Sequence, residues 1–379
     1  MFKIQQPKYI LMQSKTVIIS DLEGPWSLAD HAYESLKLIP NGAEIYRKLS
    51  SYDDYMYLVR KRAGYEPGNT LVLMAPFLIA QGITENDLMC VAAENQQTVG
   101  CAGESLSLLA ECGHTAYLIS TSYSQYVDFM ASVLGIPYEM TRSTQFPLDI
   151  LSAGIAEDEK QWVRETAGKI AGLPELSISP YSSDERMSED DIYSTDRMGE
   201  FFWEYLPKTG FSRVFEEVRP LGGKRKTDAA LSIMEKECIP YENAVFVGDS
   251  ITDAHMLREA RERGGLAVSF NGNEFCLGEC DIAIVSRTAT PSAVICDIYS
   301  KAGRDDLESI VCDWGIESLR EACDHGMLDR RLFAAIAKES LESCCFPEAY
   351  VVEVSDFSGI LERSIGMRKS IRGGAGCLS

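Results

Sequence analysis

The chain has 379 residues, of which 45% are hydrophobic and 25% are charged, the composition of a globular protein long enough for two or three domains. Its 57 acidic residues outnumber 36 basic ones, which gives a formal net charge of −21. A surface of that sign repels nucleic acid and anionic lipid, so we expect neither as a partner. It would also repel a phosphate ester, unless a divalent metal or local Lys and Arg side chains reverse the field at the site.

The compartment is inferred from the cysteines and the N-terminal segment. The 12 cysteines follow neither a disulfide framework nor a zinc-site spacing. Residues 1–14 contain no apolar stretch long enough for a signal peptide or a membrane span, and Met12 could equally be the start residue. We therefore expect a cytoplasmic protein with reduced thiols and no membrane insertion. The oligomeric state stays open, a homodimer included.

Short apolar runs recur along the chain and are continuous rather than alternating, which is typical of strands buried on both faces of a parallel sheet. These runs are residues 16–20, 116–120, 244–247, 266–270 and 281–285. Helical patterns follow several of them, at residues 124–134, 251–263 and 292–302. This alternation of strand and helix predicts an α/β fold with an open parallel sheet.

Two long helical stretches interrupt the alternation. Residues 27–112 are too long for a crossover connection, and residues 151–217 are helical in pattern and acidic. We expect both to be insertions into a discontinuous core formed by residues 1–26, 113–150 and 218–300. Residues 301–379 predict a helical extension, with a loose Gly-rich tail that begins at Arg368.

Acidic residues follow two of the buried strands. Asp21 and Glu23 come directly after the first strand, whereas Asp249 ends a later strand and Asp253 lies one helical turn further on. In open α/β sheets, ligands bind beyond the carboxyl ends of the strands. Carboxylates that converge there repel each other unless a cation is present, and hard oxygen ligands suit Mg²⁺. Each pair alone is also compatible with a turn or a capped helix start.

Two further segments carry groups that can hold phosphate. Lys226 lies in a Gly-Gly-Lys-Arg-Lys-Thr segment that opens a helix, where backbone N–H groups and cations favour anions. Ser120 and Thr121 end another buried strand and offer hydroxyl and N–H groups. Taken alone, the basic residues of the first segment could simply be solvated. In the second segment, Ser122 could simply cap a helix.

The four motifs occur in the order strand-end Asp-x-Glu, strand-end Ser, helix-opening Lys and strand-end Gly-Asp-x3-Asp. This order resembles the haloacid dehalogenase (HAD) superfamily of phosphohydrolases, in particular its phosphoserine-phosphatase-like branch. The segments ISDLEGPWS, ISTSYSQYV, FVGDSITDAHML and FNGNE are also similar to archaeal sequences labelled energy-converting hydrogenase A subunit R. The resemblance implies a Rossmann-like three-layer α/β/α core, a helical cap at residues 27–112, Mg²⁺ as cofactor and a small phosphate ester as substrate.

The resemblance also implies roles for the acidic residues. Asp21 would be the nucleophile, and Glu23 would be the general acid and then the general base. The carboxylates of Asp21 and Asp249 and the backbone carbonyl of Glu23 would hold Mg²⁺. Asp253 would complete the cluster, through water or by orienting Lys226.

The remaining implied roles concern the phosphoryl group and the leaving group. Lys226, Ser120 and Thr121 would hold phosphoryl oxygens. Asp30 lies nine residues after the nucleophile and would face an amino or hydroxyl group of the substrate, with a surface-exposed Asp at a helix start as the alternative. Asn271 would border the site, with a plain turn as the alternative.

Two positions depart from the superfamily pattern. Glu23 stands where Asp is usual, and Pro25, which has no N–H or hydroxyl, stands where Thr or Val is usual. These departures leave three hypotheses open: a phosphatase, a phosphotransferase or mutase of the same chemistry, and a non-catalytic assembly or regulatory protein associated with an energy-converting hydrogenase.

Overall fold

The computed structural model describes residues 16–178, 182–183, 187–343 and 346–373. Its centre is a seven-stranded sheet in the order β3-β2-β1-β4-β5-β6-β7. The strands are β1 (Val17–Ser20), β2 (Thr115–Tyr123), β3 (Thr141–Thr144), β4 (Ala244–Gly248), β5 (Leu266–Phe270), β6 (Ile282–Val285) and β7 (Glu348–Val351). All neighbouring strands are parallel except β6 and β7, which are antiparallel. The predicted α/β fold with a parallel sheet is therefore confirmed.

Burial explains which strands the sequence predicts. Every residue of β1, β4, β5 and β6 is buried, so each reads as a continuous apolar run. The edge strands β3 (TRST) and β7 (EAYV) are partly exposed and lack such a run, which is why the sequence pattern did not predict them.

Helices cover both faces of the sheet. One face carries α5 (Ala102–Glu111), α6 (Ser124–Leu134), α14 (Thr290–Cys312, kinked at Gly303), α15 (Ile316–Asp324) and α16 (Arg330–Ser343). The other face carries α11 (Lys224–Glu237), α12 (Ile251–Glu262), α13 (Glu274–Leu277) and α17 (Phe357–Arg372). The core therefore has three layers, in the order helix, sheet, helix.

A second hydrophobic core lies outside these layers. Helices from both insertions share it, namely α1 (His31–Leu36), α2 (Gly42–Asp54), α3 (Thr70–Ala80), α4 (Glu85–Glu94), α7 (Leu148–Ser152), α8 (Glu157–Ala171), α9 (Glu189–Gly199) and α10 (Ser212–Glu217). The sequence predicted two separate units, at residues 27–112 and 151–217. In the structure the helices of both pack together, whereas α5 packs on the sheet. The pairing depends on contacts between distant segments, which local patterns do not reveal.

The chain leaves and re-enters the sheet region at one place. The N–H of Leu28 donates to the carbonyl of Gln97 at 2.9 Å, and the N–H of Val99 donates to the carbonyl of Trp26 at 3.0 Å. The segment that leaves β1 and the segment that returns from the helical unit are therefore hydrogen-bonded to each other. This fixes the helical unit beside the end of β1.

The C-terminal segment differs from the predicted loose tail. Helix α17 continues to Arg372, and Arg368 is only 3% exposed. The reason is a tertiary contact with the end of β4, which holds polar residues that read as solvated in the sequence. The rest of the predicted tail, residues 374–379, and the predicted core residues 1–15 lie outside the described part of the chain. None of the helices in the described ranges has the length and apolar character that crossing a bilayer requires.

Candidate active site

The carboxyl ends of β1 and β4 bring the predicted acids together. The strands are adjacent and parallel, and the N–H of Asp21 donates to the carbonyl of Val247 at 2.9 Å. Asp21 and Asp249 therefore leave the sheet side by side, and both are buried. Within the described residues, Asp21, Asp249 and Asp253 each offer a carboxylate oxygen within 4.8 Å of the others. The sequence predicted this convergence from the two strand ends.

Lys226 joins two of these acids. Its side chain rises from the first turn of α11, is wholly buried, and places Nζ 2.9 Å from Oδ2 of Asp21 and 2.6 Å from Oδ1 of Asp253. Burial lowers the pKa of Lys226, but the charges of Asp21 and Asp253 outweigh burial, so the pKa lies above its ordinary value. The lysine is therefore a fixed positive charge beside Asp21.

Asp253 has a second task at the start of α12. Its Oδ2 accepts the N–H groups of Asp249 at 2.9 Å and of Ser250 at 3.0 Å, and its own N–H donates to the backbone carbonyl of Ser250, the N-cap residue, at 3.1 Å. One carboxylate thus fixes the turn after β4 and orients Lys226. The helix cap, which the sequence allowed as an alternative at Asp249, is formed by Ser250.

Glu23 is held between two elements. The Ser122 hydroxyl donates to Oε2 of Glu23 at 2.5 Å, and the N–H of His31 donates to Oε1 at 3.0 Å. Burial and the charge of Asp30 raise the pKa of Glu23 to about 7, against the lowering effect of these hydrogen bonds. A carboxyl group with that pKa can both give and take a proton near neutral pH, which is the requirement for general acid–base chemistry.

The acids border a cavity of ≈ 100 Å³. Its lining combines Asp21, Glu23 and Asp249, which follow β1 and β4, with a wall of residues from the helical unit. That volume corresponds to several water molecules, enough for a phosphoryl group, since one water needs about 10–15 Å³ in this measure.

The wall contributed by the helical unit is acidic. Asp30 caps α1 through the N–H of Tyr33 at 2.9 Å and accepts the Tyr46 hydroxyl at 2.7 Å. Asp53 and Asp54 lie further along this wall. Burial raises the pKa of Asp53 to about 6; burial and the neighbouring charge of Asp53 raise the pKa of Asp54 to about 8. The sequence singled out only Asp30, because Asp53 and Asp54 lie inside a helical pattern with no strand end nearby.

The predicted phosphate-binding hydroxyls are placed differently from one another. Thr121 borders the cavity, whereas Ser120 is fully buried beneath it and accepts the N–H of Ser122 at 3.0 Å. Ser122, for which helix capping was the alternative to a place among these strand-end hydroxyls, borders the cavity and contacts Glu23.

Asn271 is not among the cavity-lining residues. Its amide N–H donates to the carbonyl of Ser286 at 2.7 Å, and its Oδ1 accepts the N–H of Ser286 at 2.9 Å. Both polar ends of the side chain therefore join the ends of β5 and β6. The structure gives Asn271 the alternative role, that of a turn residue, in place of the expected substrate contact.

Two arginines that the sequence did not place in the site reach it from the C-terminal helix. Nη1 of Arg368 lies 2.6 Å from Oδ2 of Asp249, and Nη1 of Arg372 lies 2.9 Å from the same oxygen. Each arginine side chain is 4% exposed. Burial raises the pKa of Asp249, and both arginines act against that rise.

The acidic group fits a hard divalent cation in its donor set. Carboxylate oxygens are the preferred ligands of Mg²⁺, and the absence of a side chain at Gly24 lets the carboxylate of Asp249 pack against the backbone there, because a Cβ at Gly24 would lie 2.1 Å from Oδ2 of Asp249. Burial and the charge of Asp253 raise the pKa of Asp21 well above its ordinary value despite Lys226. A cation there would favour the ionised Asp21 that a nucleophile requires.

No protein-family model matches the chain, and no curated protein matches it. Among solved structures, gene product AF1437 from Archaeoglobus fulgidus is 29% identical, with a TM-score of 0.75 over 96% of this chain and 98% of that one. A substrate-bound phosphoserine phosphatase is 14% identical, with a TM-score of 0.43 over 73% of this chain and 95% of that one. A phospho-aspartyl intermediate analogue of phosphoserine phosphatase is 16% identical, with a TM-score of 0.41 over the same shares. Function must be inferred from the geometry of the site itself.

Proposed function

We propose that the chain is a Mg²⁺-dependent phosphatase of the HAD type, which acts on a small phosphate ester through an aspartyl-phosphate at Asp21. The observation that carries the proposal is the position of Asp21. Its buried carboxylate borders a cavity, with the ammonium group of Lys226 at 2.9 Å and a second acid, Glu23, two residues away and bordering the same cavity. A nucleophile, a fixed cation and an acid–base group therefore converge on one space.

The carboxylates of Asp21 and Asp249, with the backbone carbonyl of Glu23, would hold Mg²⁺. When bound, the metal ion would supply positive charge that offsets the repulsion between Asp21 and a phosphate dianion. Asp253 already accepts from Lys226 and from two backbone N–H groups, so its part is to orient the lysine.

In the first half-reaction, a carboxylate oxygen of Asp21 attacks phosphorus and the bond from phosphorus to the leaving oxygen breaks. Glu23 in its protonated form gives its proton to that oxygen. In the second half-reaction, ionised Glu23 takes a proton from water, the water oxygen attacks phosphorus, and the bond to Asp21 breaks to release phosphate. Lys226 stabilises the charge on the transferring group throughout.

The acidic residues of the cavity wall indicate which leaving groups the site would favour. Asp30, Asp53 and Asp54, from the helical unit, line the same cavity as Asp21. Such a wall favours a leaving group with hydrogen-bond donors, an amino or hydroxyl group, over a second anionic group. This supports the expectation for Asp30 and extends it to two further residues.

The test is hydrolysis of an aryl phosphate with Mg²⁺, together with a broad panel of phosphate esters. We expect turnover by the wild type and its loss in Asp21→Asn, whereas Asp306→Asn, which removes an exposed acid, should leave the rate unchanged. Mass spectrometry should find a phosphoryl adduct on Asp21 in the wild type. Absence of turnover across the panel would contradict the proposal and favour the non-catalytic hypothesis. Transfer to an added alcohol in preference to water would favour a phosphotransferase.

A further inference from the structure

The end of helix α17 is built into the candidate site. Arg368 and Arg372 are four residues apart, so they lie on one face of the helix, and both place Nη1 on Oδ2 of Asp249. Arg368 also donates to the backbone carbonyl of Asp249 at 3.0 Å, and Nε of Arg372 donates to the carbonyl of Leu28 at 3.3 Å. The pair therefore clamps the turn after β4 and touches the segment after β1.

The remainder of the helix docks on the core. The hydroxyl of Ser364 donates to the carbonyl of Gly272 at 2.7 Å, and Ile360 is buried in the hydrophobic layer under the sheet. The arginines thus lie between the anchored part of the helix and its C-terminal end at Arg372. This places the contact with Asp249 in the last two turns, where a helix opens at the lowest free energy.

The three acids of the candidate metal site contact three basic side chains, and the charges of Glu23 and Asp30 also act on Arg372. Asp21, Asp249 and Asp253 carry three negative charges, and Lys226, Arg368 and Arg372 carry three positive charges within direct contact of them. The arginine pair supplies the two positive charges that one divalent ion would supply. A divalent ion on the carboxylate of Asp249 would stand beside two buried guanidinium groups of the same sign, where repulsion is strong because little water screens it.

We propose that Arg368 and Arg372 are an internal competitor of the metal ion for Asp249, so that metal binding and docking of the C-terminal end of α17 oppose each other. The inference rests on the proposed function for the identity of the cation, Mg²⁺. The end of α17 then has a regulatory role. While its arginines contact Asp249, this acid binds the metal ion weakly; when the helix end undocks, Asp249 binds the metal ion more tightly.

The first test measures Mg²⁺ affinity by isothermal titration calorimetry, without substrate. We expect the double variant Arg368→Gln/Arg372→Gln to bind Mg²⁺ at least tenfold more tightly than the wild type, a difference of about 1.4 kcal/mol. The matched control is Arg363→Gln, which removes a positive charge from the same helix at an exposed position that pairs with Glu348 instead. Its affinity should stay within twofold of the wild type. Equal or weaker binding by the double variant would overturn the proposal.

A second measurement uses the wild type alone, so it does not depend on the variant folding. Because coupling between two binding events is reciprocal, saturating Mg²⁺ should accelerate amide hydrogen exchange at residues 364–372 by up to the same factor. Exchange in β4 and β5 should not accelerate. Slower exchange at residues 364–372 with Mg²⁺ would overturn the proposal, because it would mean that the arginines and the metal ion bind together.

Neither readout requires turnover, so the two proposals fail separately. Tighter metal binding in the double variant with no turnover of any phosphate ester would retain the competitor and reject the phosphatase. Turnover that depends on Asp21, with unchanged metal affinity in the double variant, would retain the phosphatase and reject the competitor.

Discussion

The ammonium nitrogen of Lys226 lies 2.6 Å from Oδ1 of Asp253, and neither side chain is exposed to solvent. The same nitrogen is 2.9 Å from Oδ2 of Asp21. One acid that follows β1 and one in the first turn of α12 therefore share one buried cation. Removing one member of a buried charge group leaves the others uncompensated, which typically destabilises a protein by about 3–5 kcal/mol.

Lys226→Met should reduce both stability and turnover. We expect the free energy of unfolding to fall by about 3 kcal/mol, because Asp21 and Asp253 lose their common partner. The rate per folded molecule should fall at least about a hundredfold, since a fixed charge at the transferring phosphoryl group is lost. Urea unfolding and aryl phosphate hydrolysis measure the two effects. Lys236→Met, at an exposed position of α11, should change neither; full activity in folded Lys226→Met would refute the role of the lysine.

Gly24→Ala should damage the site beyond its effect on stability. Gly24 has φ +102°, and a Cβ there would lie 2.1 Å from Oδ2 of Asp249. Gly113 has φ +90°, and a Cβ added there would meet no other atom within 4 Å. Both alanine variants should lose about 1–2 kcal/mol from the left-handed backbone. Only Gly24→Ala should also displace Asp249, so only it should weaken Mg²⁺ binding in a titration; equal affinities in the two variants would show that the site tolerates the methyl group.

The sequence predicted those parts of the site that depend on local pattern. The strands before Asp21 and Asp249 are buried on both faces and read as apolar runs, and parallel strands place their carboxyl ends at one edge of the sheet. Helix α6 begins and ends at the predicted residues, 124 and 134, because Gly135 adopts a left-handed conformation after it. Strand ends, glycines and helix periodicity are all visible in a single sequence.

The sequence could not predict contacts that join distant segments. Arg368 and Arg372 precede a glycine-rich terminus, so their charges read as solvated until the contact with Asp249, more than a hundred residues away, is known. One signal was present: a chain of net charge −21 needs local cations wherever buried acids converge. Two arginines four residues apart on a helix could supply such cations. The residues next to them in the sequence do not show which acid they contact.

Asp54 is the acid of the cavity wall whose titration is the simplest to measure. It is partly buried and lines the cavity beside Asp53, and its carboxyl group makes no hydrogen bond or ion pair with the described residues. Burial, and then the charge of Asp53, raise its pKa from 3.8 to about 8. A raised pKa means that the folded protein holds this proton more tightly than the unfolded chain does. Its contribution to stability is therefore complete below about pH 4 and is lost as pH rises towards 8.

Asparagine cannot ionise, so Asp54→Asn should not lose this stability as pH rises. The variant should therefore become increasingly more stable than the wild type at higher pH. We expect the difference in unfolding free energy to grow by about 1 kcal/mol per pH unit between about pH 4 and pH 8 and to level off above that. Urea unfolding at several pH values measures the slope, with Asp306→Asn as the exposed-acid control. If Asp54 also receives a donor of the leaving group, the stabilised variant should show a raised KM with kcat retained, since stability and function often trade off at a binding wall. A flat stability difference across this pH range would show that the carboxyl group is already solvated.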